Sequence, residues 1–222
     1  MLSFCLALAL IDFPPRVARP VAPDSQPSGA YSKAAASVWD RLFDSARSVA
    51  IASPDRLSTV RARTVARVDP NDDQHVVLDL SGETGSLHVD IGPGVGSEIL
   101  WAPDSKALFV TTSDGGRNGL YRVLVIGEFQ GRLEARDLTG IVYKAFGHPV
   151  KCDVPEPPNV GGIAWVGQAH HVLIAAEIVN HSICDSSGTF KGYDVDPASM
   201  QIVQRYGQLE VKRRFGAQLG FE

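Results

Sequence analysis

The stretch "ILWAPDSKALFVTTSDGGRNGLYRVLVI", residues 99–126, decides the fold. Within and around it, the apolar β-type runs "EILWA", "ALFVTT" and "GLYRVLVI" are separated by "PDSK" and "SDGGRNG". Those separators hold the Pro, Asp, Asn and Gly residues that supply turn geometry, so the stretch predicts three antiparallel strands joined by short connections.

The same pattern extends outward in both directions. Strands are expected in "SVAIA", "STVRART", "HVVLDL", "SLHVDI", "GIVYKAF", "GGIAWV", "HVLIAAEIV", "TFKGYDVD" and "QIVQRYG", separated by "DPNDD", "SGETG", "GPGVG" and "PEPPN". Helical periodicity is confined to "YSKAAASVWDRLFDSARS", where Val38, Leu42 and Ala46 fall four apart with Trp39 and Phe43 alongside, predicting one short N-terminal helix. "VAIASPDRLSTVRART" aligns with "ILWAPDSKALFVTT" at an offset of 49, setting Pro54 and Asp55 opposite Pro103 and Asp104. A degenerate third copy, "IAWVGQAHHVLIAAEI", sets Trp165 opposite Trp101 at an offset of 64 and lacks the Pro-Asp turn. A period of this length with about four strands per unit points to propeller blades. In each of the first two copies Pro fixes the turn's φ and Asp can bond its own backbone, which is structural work.

On these residues the chain resembles the WD40-like repeat of TolB-type β-propellers. Trp101, Pro103, Asp104, Leu108, Gly119, Leu120 and Tyr121 occupy positions of that blade motif, while Ala102 stands for its usual Ser and Ser105 for its usual Gly. The resemblance covers at most residues 48–208, through one strong, one moderate and one weak copy. It implies an all-β fold, a small or partial β-propeller of three to four antiparallel blades with a short N-terminal helix. It carries little on function, since one fold hosts many functions. TolB-type propellers usually carry more blades than this chain accommodates, so three arrangements stay open: a small ring, an open partial propeller, or part of a toroid completed by another chain. Open strand edges would offer a route to oligomers or to a partner strand.

Composition bounds the rest. At 222 residues and 44% hydrophobic, the chain can bury a sizeable core. Its net charge of −4 and scattered Lys and Arg give no nucleic-acid footprint; "KRR", Lys212–Arg214, reads as a solvated terminal strand. Residues 1–23 read as a signal peptide and lead-in: the apolar "LSFCLALALI" is too short for a stable membrane span, and a Pro-rich polar segment follows. No Lys or Arg precedes that run, and a buried first strand or helix is the alternative. Residues 24–47 then form a linker and the short helix, and 48–222 the propeller-like domain, placed in the periplasm or outside the cell.

Removal of Cys5 with the signal would leave Cys152 and Cys184, 32 residues apart, as an even pair. A disulfide between them is expected, contributing about 3 to 4 kcal/mol in a chain-entropy account. Two buried free thiols or a metal site with His148 and His181 are the alternatives, the absence of a CxxC pair disfavouring metal.

The chemical motifs are sparse. "GPGVGS", Gly92–Ser97, precedes a strand where a phosphate-binding loop needs a helix, so it reads as a turn. No G-x-S-x-G, S-x-x-K, H-E-x-x-H, Walker A or EF-hand pattern occurs. His170 and His171 are adjacent and would point to opposite faces of a strand. Asp69, Asp72 and Asp73, and separately Asp194 and Asp196, offer oxygen ligands without the number that a calcium loop needs. Asp114 and Arg117 lie in a hairpin turn and could touch a ligand at a blade edge.

No catalytic, cofactor-binding or metal-binding residues are therefore assigned. The expected function is that of an exported, non-catalytic module binding a protein or peptide partner in the cell envelope. The alternative is a small propeller enzyme of lyase or glycosidase type, using scattered carboxylates such as Asp114 and Glu177 with His181.

Overall fold

The computed structural model describes residues 31–38, 48–65, 75–83, 85–93, 96–114, 121–147, 157–168, 170–178 and 188–220. Of the expected front helix, residues 31–38 and Ser48 are described and none is helical: Ala36–Ser37 pairs as a strand with Ile99 and Glu98, and Val38 donates to the Ser97 carbonyl from a buried position, so pairing along a sheet edge overrides the helical spacing. Residues 39–47 lie outside the described residues, as do the signal segment, Gly119, Arg117, His148, His181, Asp69, Asp72, Asp73 and the three cysteines.

The described residues form an all-β fold of three antiparallel sheets in chain order. The first sheet contains β2 (Val49–Ala52), β3 (Thr59–Val65), β4 (His75–Gly82) and β5 (Gly85–Asp90). In the middle sheet, β6 (Glu98–Trp101), β7 (Ala107–Ser113), β8 (Tyr121–Phe129) and β9 (Arg132–Asp137) follow one another, and β1 (Ala36–Ser37) pairs along the free edge of β6. The last sheet holds β10 (Asn159–Val166), β11 (His171–Glu177), β12 (Phe190–Asp196) and β13 (Gln201–Gly207). Apart from β1, which reaches β6 from far along the chain, strands that are neighbours in sequence within each sheet are neighbours in space.

The two-residue alternation of side chains sorts these strands into layers. Val60, Ala62, Leu78 and Leu80 of the first sheet meet Ile99, Leu108, Val110, Leu124 and Ile126 of the middle sheet in one core. From the opposite face of the middle sheet, Phe109, Val123 and Val125 meet Val160, Val172, Ile174 and Ala176 of the last sheet. Strand β7 is thus buried on both faces, which explains its unbroken apolar and hydroxyl run "ALFVTTS". Leu173 and Ala175 face the other way, into a third core with Tyr31, Tyr206, Val211 and Leu219. The outer face of the first sheet is polar: Arg63 pairs with Asp79 at 2.7 Å, and Asp79 also meets His88 at 2.7 Å.

Two further segments depart from the sequence expectations. Residues 140–146, read as the strand "GIVYKAF", lie in helix α1 (Thr139–Phe146). Its apolar run is too short for periodicity to distinguish strand from helix. The fold selects the helix because Leu138, Val142 and Phe146, four apart, all enter the core between the middle and last sheets. The Asp137 carboxylate also accepts the Thr139 N–H at 2.9 Å, placing negative charge at the helix start.

"KRR" is likewise helical, the last turn of α2 (Gln208–Phe215), and not a strand. Its cations sit at the negative end of the helix dipole, and Arg214 pairs with Glu210 at 3.1 Å. Val211 turns inward over Gly192, where a Cβ would come within 2.5 Å of the Val211 side chain. Helix α2 therefore covers the outer face of the last sheet because Gly192 leaves it room.

The first and last described segments clasp one another. Lys33 N–H donates to the Gln218 carbonyl and Gly220 N–H to the Tyr31 carbonyl, both at 2.9 Å, around a Ser32–Leu219 bridge. Tyr31 lies on Gly161 so closely that no side chain fits there.

Candidate functional site

The two Pro-Asp turns are the same turn built twice. Arg56 N–H donates to the Ser53 carbonyl and Ser105 N–H to the Ala102 carbonyl, each at 2.9 Å. Arg56 and Ser105 share the left-handed backbone conformation, both with φ 65°. Asp55 Oδ1 accepts Leu57 N–H at 3.0 Å, and Asp104 Oδ1 accepts Lys106 N–H at 3.1 Å. Pro54 and Pro103 enter each turn one residue earlier, as the offset of 49 predicts.

These turns are also joined to each other, since the Asp55 N–H donates to Ser105 Oγ at 3.0 Å. The left-handed backbone at Ser105 is the conformation that glycine adopts most easily. The serine adds a cross-turn bond that glycine cannot make.

The tryptophans connect the sheets in sequence. Trp101 Nε1 donates to the Ile51 carbonyl at 3.2 Å, and Trp165 Nε1 to the Leu100 carbonyl at 3.1 Å. Each indole thus reaches the equivalent position on the first strand of the preceding sheet. Ala52, at the position matching Trp101 in the first copy, is exposed. No sheet precedes it among the described residues, so an indole there would have no carbonyl to reach.

Between the paired turns lies a groove of about 480 Å³. Its walls come from the β2–β3 and β6–β7 turns and from the β4–β5 and β8–β9 ends of the same two sheets. Leu80, Trp101, Ile126 and Leu133 line it with apolar surface, and Leu57 stands at the mouth 57% exposed. The charged lining consists of Asp55, Glu83, Asp104 and Glu128 against Lys106. Asp55 is held below the usual carboxylate range, first by the Ser53 hydroxyl, which donates to it at 2.6 Å, and then by the Leu57 N–H. At the same end of the stack, Arg136 spans the middle and last sheets, donating to the Pro197 and Ala198 carbonyls at 2.9 and 2.7 Å. The groove's lining residues include no arginine; the first two sheets are joined there by the Trp101 indole and the Ser105 hydroxyl.

The remaining sequence candidates do not converge on this groove. Tyr121 begins β8, its carbonyl accepting the Tyr143 hydroxyl at 3.0 Å and its ring meeting Tyr31 edge-on. Burial, followed by the Asp137 charge, pushes the Tyr143 hydroxyl up to about 12. His170 lies in the turn before β11, while His171 sits 3.0 Å from Asp194, an ion-pair distance without hydrogen-bond alignment. Burial raises the Asp194 carboxyl, the charge of His171 opposing it. Asp196 instead accepts the Ala198 N–H and the Ser199 hydroxyl, so the two aspartates have separate partners. Gly92 and Gly96 take positive φ in the turn before β6, consistent with the turn reading of "GPGVGS". Asp114 is exposed after β7. Glu177 is half-buried, its carboxyl raised by burial and partly offset by the Tyr31 hydroxyl that donates to it.

Sequence reasoning found the turns and the indoles but missed Leu80, Glu83, Ile126, Glu128 and Leu133. These belong to hairpins that become neighbours only when two repeats stack. The offset of 49 carries that signal once the repeats are placed side by side.

No protein-family model and no curated protein matches the chain. Among solved structures, an acylaminoacyl peptidase from Pyrococcus horikoshii is similar at 9% identity and a TM-score of 0.41. The alignment covers 72% of this chain and 26% of that one, so the chain spans about a quarter of its length. A likeness this slight brings nothing of that protein's function across. Among the described residues, no helix is long and apolar enough to cross a membrane.

Proposed function

We propose that this chain is an exported, non-catalytic, partial β-propeller whose three sheets are its blades, and that it binds a protein or peptide in the cell envelope. The observation that carries this reading is the groove between the first two sheets. It sets an exposed leucine and charged rims around a concave apolar floor, a shape that can anchor one side chain of a partner. Rigid paired turns set its walls, so little ordering entropy is lost when a partner docks. Glu177 and Asp194 serve within the fold, one taking the Tyr31 hydroxyl and the other facing His171, and no observation here favours the enzymatic alternative.

The test is affinity capture from cell-envelope extract with wild-type chain and a Leu57→Arg variant side by side, after equal thermal stability has been verified. The reading expects a partner, identified by mass spectrometry, that the wild type retains and the variant loses. Equal capture by both, or capture by neither, contradicts it. For the exported state, we propose that Cys152 and Cys184 are bonded in the mature chain. Peptide mapping without reduction should find them linked; both thiols free would overturn that part.

A further inference from the structure

We infer that the segment this groove takes is cationic, an apolar side chain flanked by lysine or arginine. The inference rests on the binding reading above and goes further by naming the chemistry of the partner. The groove's lining carries four carboxylates, Asp55, Glu83, Asp104 and Glu128, and one ammonium, Lys106. Asp55 is fixed in its ionised form by the Ser53 hydroxyl and the Leu57 N–H, so its charge is directed and does not wander with a free side chain. Between the acidic turns, half-buried Leu133 and the edges of Leu80 and Trp101 offer an apolar floor above the buried Ile126, with exposed Leu57 beside it.

An acidic segment would meet carboxylates on both walls, and like-charge contacts are a strong discriminator between partners. A purely apolar segment would leave the four carboxylates facing a partner without counter-charge. A segment with an apolar anchor between two cations satisfies floor and rims together. Exposed ion pairs contribute little each, so several acting together should separate a basic probe from an acidic one by about tenfold. Because the rims face water, that preference should weaken as salt rises.

The experiment titrates the full chain with three fluorescein-labelled pentapeptides, Gly-Lys-Leu-Lys-Gly, Gly-Glu-Leu-Glu-Gly and Gly-Lys-Ser-Lys-Gly, by fluorescence anisotropy at low and high salt. The expected result is tightest binding of the first, about tenfold weaker binding of the second, and a clear loss for the third. A Glu83→Lys, Glu128→Lys double variant should lose the preference for lysine while keeping wild-type thermal stability. Equal binding of the first two peptides, or a preference that survives in the double variant, overturns the charge assignment. If the acidic peptide binds equally and Leu57→Arg abolishes it, the groove still binds and only the charge assignment falls. Absence of binding by all three also overturns the assignment, and the envelope capture then judges the binding reading by itself.

Discussion

At the residue scale, the two indoles act as paired fasteners. Trp101 and Trp165 are largely covered, yet each keeps its N–H on a carbonyl of the preceding sheet. Replacing either with Phe retains most of the apolar surface and removes one hydrogen bond. Trp101→Phe is therefore expected to cost about 0.5 to 1.5 kcal/mol in urea unfolding, plus a small packing loss. A second residue-scale prediction concerns Ser105. Ser105→Ala keeps the unfavourable backbone and loses the bond to Asp55, whereas Ser105→Gly loses the same bond but relieves the backbone. The alanine variant should be the less stable of the two by about 1 kcal/mol; the reverse order would show that the φ of 65° is not strained.

Glu177 gives the pH prediction. Its carboxyl is raised in the fold by burial, so the native chain binds its proton more tightly than the unfolded chain does. The stability linked to that proton is present below the unfolded carboxylate range and is lost as pH rises through the raised native value. Glu177→Gln removes this titration while leaving an oxygen to accept the Tyr31 hydroxyl. Thermal melts of variant and wild type should thus differ in the variant's favour more at pH 7 than at pH 4. A constant difference across that range would contradict the assignment.

At the element scale, the close approaches carry the risk. A Cβ on Gly162 would fall 2.6 Å from the Phe109 ring, between the middle and last sheets. Gly162→Ala should consequently destabilise the chain by about 1 to 3 kcal/mol in denaturant unfolding, the range for overfilling a packed core. The sequence reveals these elements unevenly, for physical reasons. The Pro-Asp turns are legible because their chemistry is local: Pro fixes its own φ and Asp accepts the backbone N–H two residues on. Helix α1 was not legible, since "GIVYKAF" fits either period and only the pocket between two sheets selects the helix. Helix α2 hides its one inward residue, Val211, in a strongly charged segment, and the cavity at Gly192 that receives it lies on another element. The groove was invisible for the same reason on a larger scale, because its floor and rims come from two repeats.

At the scale of the whole molecule, the two outer faces of the three-sheet stack differ. Helix α2 and the Tyr31–Leu219 clasp cover one outer face. The opposite face displays Arg63, Asp79 and His88 paired with one another, and covering such a ladder with a further sheet would strip water from charges that repay little of the cost. Between the first two sheets the stack leaves a groove where successive turns line up. The most direct measurement of that claim is photo-crosslinking in cells, with a benzophenone side chain at position 57 in the groove mouth or, as a control, at position 203. Val203 is similarly exposed, at 54%, on the last sheet. The account predicts a discrete crosslinked partner from position 57 and none from position 203; crosslinks of equal yield from both positions, or none from position 57, would contradict it.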